Sequence, residues 1–379
     1  MEGPRPLRPE ELPQLVALCN AVFRADGGDM GREFAYYLNR DNAPRLRVVA
    51  EGGQLLAHCG YRKHDVLMLG TRVTVGCVGA VCTRADAQGK GLGTRLFLDC
   101  LAAMRGDGVD FALISGGRGL YTRNGAGAVG RAREFSFRAG TAAGWRSGVS
   151  VAQAAPGDAP ALAALYRAEP VRFLRAPSEW ADILAGRWCM NRPARLFCIR
   201  RGGELVAYAA ARLPAMKDAP GTAMLLGEYA GCRSAVAEAL PAMAAACELP
   251  ALTVHVPARD AALGAELAAR GLEAKAAPGI GGTVKLVNLP QLLGRTAELL
   301  LERAGARAGK LSAKEPGPGR TAFCLDAECL ELAEADALRV VFGTPGRTEK
   351  ALLEGRGELG RLLGAALPLE LPWYGYNYV

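Results

Sequence analysis

The 379-residue chain is poor in histidine, in aromatic side chains and in long apolar runs. Its three histidines, His58, His64 and His255, lie far apart, so no metal site is expected. Aromatic residues make up 6% of the chain, and no basic patch is interleaved with them, which excludes nucleic-acid readout. No apolar run reaches the ~20 residues that a membrane helix needs. The first residues, MEGPRPLRPEEL, also lack a signal peptide's apolar core, so a membrane role is excluded and a cytoplasmic location expected. The eleven cysteines include no C-x-x-C pair. Cys59, Cys77, Cys82, Cys100, Cys198 and Cys247 fall inside apolar segments and read as reduced core thiols. Cys324 and Cys329 have no second pair or nearby histidine that would make them metal ligands.

What the chain has is a hydrophobic content of 50% and enough length for two or three domains. The net charge of +8 is spread along the sequence, as suits a solvated surface with affinity for an anionic ligand. The informative stretch runs from Val78 to Gly125. A β-branched strand candidate, Val73 to Cys82, leads into Gln88-Gly89-Lys90-Gly91-Leu92-Gly93. Gly91 then opens a helix whose apolar residues Leu92, Leu96, Phe97, Leu101 and Met104 keep helical spacing. Glycines at a helix mouth aim unpaired N–H groups at a ligand and allow it close, which suits a pyrophosphate, and Lys90, Arg84 and Arg95 add positive charge. A P-loop would need Gly-Lys-Ser or Gly-Lys-Thr, and a Rossmann turn would follow the first strand directly. Neither holds here.

QGKGLG does match the acetyl-CoA motif Q/R-x-x-G-x-G/A, and the surrounding strand, helix, strand Phe111 to Ser115 and Tyr121 resemble the GCN5-related N-acetyltransferases (GNAT). The segment LISGGRGLYTRNG, with Tyr121, Arg123 and Gly125, is similar to acetyltransferases of the enhanced intracellular survival (Eis) family. The resemblance implies an α+β chain of tandem GNAT folds, each a central mixed sheet flanked by helices, followed by a sterol-carrier-protein-like domain. The implied divisions are residues 1–145, the catalytic domain; 146–280, a degenerate GNAT-like repeat; and 281–379. Element order agrees with this reading. In the first part, helices from Leu7 to Arg24 and Asp29 to Leu38 precede a hairpin at Leu46 to Glu51 and Gln54 to Asp65. A last strand is expected from Arg131 to Arg138, then a linker from Gly140 to Gly148. The helix, hairpin, strand and helix order recurs from Asp158 to Arg270 without the glycine turn. Beyond that, one helix is expected from Leu289 to Ala304, a loop or mobile hairpin from Arg307 to Gly319, and a strand from Leu338 to Gly343.

The resemblance further implies acetyl-CoA as cofactor, a primary amine as acceptor (aminoglycoside-like, polyamine or lysine) and a homo-oligomer. Residues implied to bind acetyl-CoA are Val81, Cys82, Thr83, Gln88, Gly89, Lys90, Gly91, Leu92, Gly93, Thr94 and Ser115. Tyr121 is the implied acid toward the departing thiolate. The tail LPLELPWYGYNYV is too apolar to fray in solvent, which carries the carboxylate of Val379 inward; in the resembling family that group is the base. Asp26 and Glu33, with Asp29 and Asp41, are candidates for a cationic-substrate mouth, against the plainer reading of a solvated helix face. The competing function is a lipid carrier or CoA sensor without catalysis, which has no need of Tyr121 or of a buried terminal carboxylate.

Overall fold

The computed structural model describes residues 1–141, 145, 147–215, 218–219 and 221–379, and among these three sheets form. The first sheet carries the strands Glu2–Pro6, Leu46–Glu51, Gln54–Met68, Thr71–Thr83, Phe111–Ile114 and Thr283–Leu286 in that spatial order, with Val171–Phe173 paired to Gln54–Met68. The second runs Ala274–Ala277, Ala132–Arg138, Ala251–Pro257, Met224–Gly231, Glu204–Arg212, Arg192–Arg201 and Ser150–Gln153. The third is a meander of Ser312–Gly317, Arg320–Leu325 and Glu328–Ala333.

The two large sheets exchange strands. Ala132–Arg138, read from sequence as the last strand of the first sheet, pairs instead with Ala251–Pro257 in the second. Its expected place beside Phe111–Ile114 is taken by Thr283–Leu286. Pattern alone cannot tell these arrangements apart, because either strand buries the same apolar faces whichever partner supplies its ladder. The exchange ties both halves together through backbone hydrogen bonds.

Sequence and structure differ elsewhere too. The second expected helix shrinks to Met30–Glu33, capped by the Asp29 carboxylate, which accepts from Gly31 N–H. The helix expected over Leu289 to Ala304 is two, Leu289–Arg295 and Ala297–Ala304, divided at the buried Thr296. The run Leu338 to Gly343, expected as a strand, is the helix Glu334–Phe342. Two acids in its first turn favour a helix, and the run reads as continuous only because Leu338, Val340, Val341 and Phe342 are all buried. Cys324 and Cys329 are bonded to each other across the meander. The linker expected at residues 140–148 lies partly outside the described residues.

The glycine-headed helix forms as its spacing predicts. Leu92–Gly106 buries Leu92, Leu96, Phe97, Cys100 and Met104, each fully buried side chain of this size contributing about 1.5–3 kcal/mol. Gly91 caps it at φ +71°, a left-handed conformation that costs a side-chain-bearing residue about 1–2 kcal/mol.

Candidate active site

The site grows from a fork between two parallel strands. Thr71–Thr83 pairs with Phe111–Ile114 only from Val75↔Phe111 to Val78↔Ile114, and Ser115 N–H makes one last bond to Val78 O at 3.3 Å. Beyond it the long strand bulges, with Ala80 at φ +51°, and continues to Thr83 paired only with Gln54–Met68. Arg84 N–H points back to Leu56 O. By the two-residue alternation of a strand, the N–H groups of Thr83 and Val81 face the open edge and that of Cys82 faces the paired side. The Cys82 thiol also turns away from the fork, into the core against the helix Leu12–Phe23. The neighbouring Cys19 thiol, helped by His58 and opposed by burial, lowers its pKa. Cys82 is thus the member of the expected trio that does not front the fork.

The glycine turn lies next along the chain. Cβ atoms built on Gly89 and Gly91 would meet nothing within 4 Å, and one on Gly93 only Leu120 at 3.7 Å. Among the described residues, the N–H groups of residues 89–94, Lys90, Leu92 and Thr94 included, find no backbone acceptor. An open, donor-lined helix mouth of this kind suits an anionic phosphate group. Gln88 folds back on the strand, its amide donating to Thr83 O at 3.4 Å. The two flanking arginines are occupied elsewhere: Arg84 pairs with Asp86, and Arg95 donates to Gly3 O.

The chain's last residues occupy the head of the fork. Val379 packs on Gly79, the first residue past the last strand pair; a Cβ on Gly79 would stand 2.5 Å from a Val379 carboxyl oxygen and 2.9 Å from its Cγ2. Tyr378 Oη donates to Ser115 O at 3.3 Å across the gap, and Tyr36 Oη donates to Tyr378 O. Ser115 Oγ donates to Val78 O at 3.3 Å. Tyr121, on the short helix Gly119–Thr122, is buried edge-on against Phe97, its Cε2 3.6 Å from a Cβ built on Gly116. Burial, with Tyr378 nearby, raises its pKa and keeps the phenol protonated.

The tail is held from the other side by the second sheet. Arg175 and Glu228, 1% and 5% exposed, form a bidentate pair at 2.8 and 2.6 Å. Arg175 also donates to Asn377 Oδ1 at 2.9 and 2.7 Å, and Glu228 accepts from Tyr376 N–H and Tyr208 Oη. Trp373 stacks on His255 and donates to Gly227 O at 2.6 Å.

Beside the tail opens a cleft of about 1030 Å³ between residues 28–41 of the first sheet's helical face and residues 178–188 of the second, with Tyr36, Tyr376 and Asn377 among its lining. Of the acids expected at a substrate mouth, Asp29, Glu33 and Asp41 line this cleft and Asp26 does not. Asp26 is exposed on the turn after the first helix. Glu33 is taken by Arg24 in a pair largely hidden from water, so it presents no free charge. Sequence reasoning missed Glu179 and Asp182, which face the cleft from the second half, and Tyr36. It also passed over Gly79, although a glycine inside a strand pattern often marks close approach of another backbone.

The comparisons with known proteins agree with this geometry. Residues 4–129 match the model of the acetyltransferase (GNAT) domain. The chain is an acetyltransferase enzyme, and enzymes of this fold use an acyl-CoA. Over nearly its whole length the fold is similar to a GCN5-related N-acetyltransferase from Anabaena variabilis, at 13% identity and TM-score 0.66, covering 97% of this chain and 98% of that one. It is similar to a probable N-acyltransferase from Enterococcus faecalis, again at 13%, 0.66, 97% and 98%. Eis1 from Mycobacterium abscessus aligns at 15% identity and TM-score 0.60 over 96% of each chain. No curated protein matches the sequence. Among the described residues, no helix is long and apolar enough to cross a membrane.

Proposed function

We propose that the chain is an Eis-like N-acetyltransferase that moves an acetyl group from acetyl-CoA to a primary amine by direct attack in a ternary complex. The observation carrying this reading is the meeting of Tyr378–Val379 with Gly79 and Ser115 at the point where the two strands part. Acetyl-CoA supplies the acyl group as an activated thioester. The N–H groups of residues 89–94 would hold its pyrophosphate, and those of Val81 and Thr83 would orient and polarise the carbonyl along the open strand edge. A lysine-like amine, of pKa ~10.4, must shed a proton before it attacks, and the Val379 carboxylate would accept it. Tyr121, kept protonated by burial, would donate to the leaving sulfur.

The acceptor amine would enter through the 1030 Å³ cleft, whose carboxylates Asp41, Glu179 and Asp182, set among Arg32, Arg62 and Arg187, would take a cation. An aminoglycoside-like, polyamine or lysine amine fits that chemistry. The division into residues 1–145, 146–280 and a sterol-carrier-like 281–379, a homo-oligomeric assembly and a cytoplasmic location belong to the same reading. The test is a panel of polyamines, aminoglycosides and lysine peptides incubated with acetyl-CoA while free thiol release is followed. Amine-dependent release is expected for at least one class. Acetyl-CoA binding with no release from any amine would favour a carrier or sensor and end the proposal.

A further inference from the structure

Three side chains that the transfer chemistry does not use meet in the core. Cys19 comes from the helix Leu12–Phe23, His58 from the strand Gln54–Met68 and Cys82 from Thr71–Thr83. Their ligating atoms all lie within 4.8 Å of one another, and all three residues are buried, Cys19 and His58 completely. His58 Nδ1–H donates to Ala80 O at 2.9 Å, which fixes the tautomer and leaves Nε2 with a bare lone pair. That Nε2 is buried without a hydrogen-bond partner. The groups beside it are thiols, weak donors at best, and two sulfurs facing an imidazole lone pair make a donor set for a soft cation. An imidazole that donates its other N–H to a backbone carbonyl is the usual support of a metal-bound histidine.

We propose that Cys19 Sγ, His58 Nε2 and Cys82 Sγ bind a zinc ion that pins the first helix to the two central strands of the fork. Two soft sulfurs and an imidazole suit zinc or copper(I). Charge decides between them. Two thiolates neutralise Zn²⁺, whereas with Cu⁺ they leave a net negative charge in a core where an unpaired charge is strongly disfavoured. On binding, two Zn–S bonds and one Zn–N bond form, both thiol protons leave to solvent, and no electrons are transferred. Gly60 makes room for the side chains packed there: a Cβ on it would come within 2.7 Å of Tyr37 Oη, 2.8 Å of His58 Nε2 and 2.9 Å of Leu46 Cδ2. The ion would stiffen the stretch around Cys82, whose neighbours Val81 and Thr83 front the open edge. The sequence carried no sign of such a site because its ligands come from three separate segments with no ligand spacing between them.

The test measures zinc in the full chain, purified from zinc-supplied cells and dialysed. One zinc ion per chain is expected, retained in a Cys232→Ser control and lost from a Cys19→Ser/Cys82→Ser double variant. Because that double variant can fail to fold, the unsubstituted protein is also stripped with a chelator and titrated with cobalt(II). An intense near-ultraviolet thiolate-to-cobalt band, saturating at equimolar metal, is the supporting result. A metal-free native protein that develops no such band, zinc retained by a folded double variant, or a Cys19–Cys82 disulfide in the native protein would each overturn the proposal.

Discussion

Gly79 shows how much one missing side chain decides. Its φ lies outside the left-handed region, so alanine is tolerated by the backbone, yet its Cβ would occupy the place of the Val379 carboxyl group. Gly79→Ala should therefore displace the terminal carboxylate while leaving the glycine turn untouched. Misplacing a reacting group by about 1 Å can cost about a hundredfold, so turnover should fall by that order while acyl-CoA affinity measured by calorimetry stays constant. Unchanged turnover would show that the group at this position takes no part. The place of Tyr121 just after the strand Phe111–Ile114 was readable in the sequence, whereas the partners of the tail were not. No local pattern says that Tyr36 will meet Tyr378 or that Arg175 will meet Asn377.

At the scale of elements, the strand Gln54–Met68 carries a pH liability. His64 is buried edge-on to Phe173 of the short strand paired with it. Burial first, then the charges of Arg62 and Arg175, against Asp65, push its imidazole down from the usual 6.5 to about 3. The folded protein thus resists a proton that the unfolded chain accepts. Stability is fully present above pH 6.5 and is lost as pH falls toward the folded value, by about 1.4 kcal/mol per unit. Urea midpoints of a His64→Leu variant should decline less steeply below pH 6.5 than those of the parent; parallel declines would assign the acid sensitivity elsewhere. The elements themselves were largely readable. The glycine helix and the Leu46–Glu51/Gln54–Met68 hairpin follow from local periodicity and turn residues. What periodicity could not supply was partner choice. Ala132–Arg138 was read as the last strand of the first part and Thr283–Leu286 was not read as a strand at all; only tertiary packing sets the exchange.

For the whole molecule, the tail couples the halves. It crosses from the buried Arg175–Glu228 pair of the second half to the fork of the first, so the position of the last residues depends on both. Removing one partner of a buried pair leaves the other charge unmatched, at a cost of about 3–5 kcal/mol. Arg175→Met should lower stability by that amount in denaturant titrations and, in the fraction still folded, expose the last residues to carboxypeptidase. A variant as stable and as protected as the parent would mean that the tail is held by its apolar contacts alone. Much of the helix and hairpin order could be read in advance from local periodicity, but the short strands Glu2–Pro6, Val171–Phe173, Ala274–Ala277 and Thr283–Leu286 could not, being too brief to carry a pattern of their own. The cleft could not, since its walls come from residues far apart in sequence and meet only when the sheets pack.

The central claim, that the terminal carboxylate serves the transfer, is tested most directly by adding one glycine after Val379 and measuring amine-dependent thiol release beside acyl-CoA binding. The account predicts that turnover falls by about a hundredfold or more while the dissociation constant for acyl-CoA is unchanged. Turnover equal to that of the unextended chain, with binding intact, would contradict it.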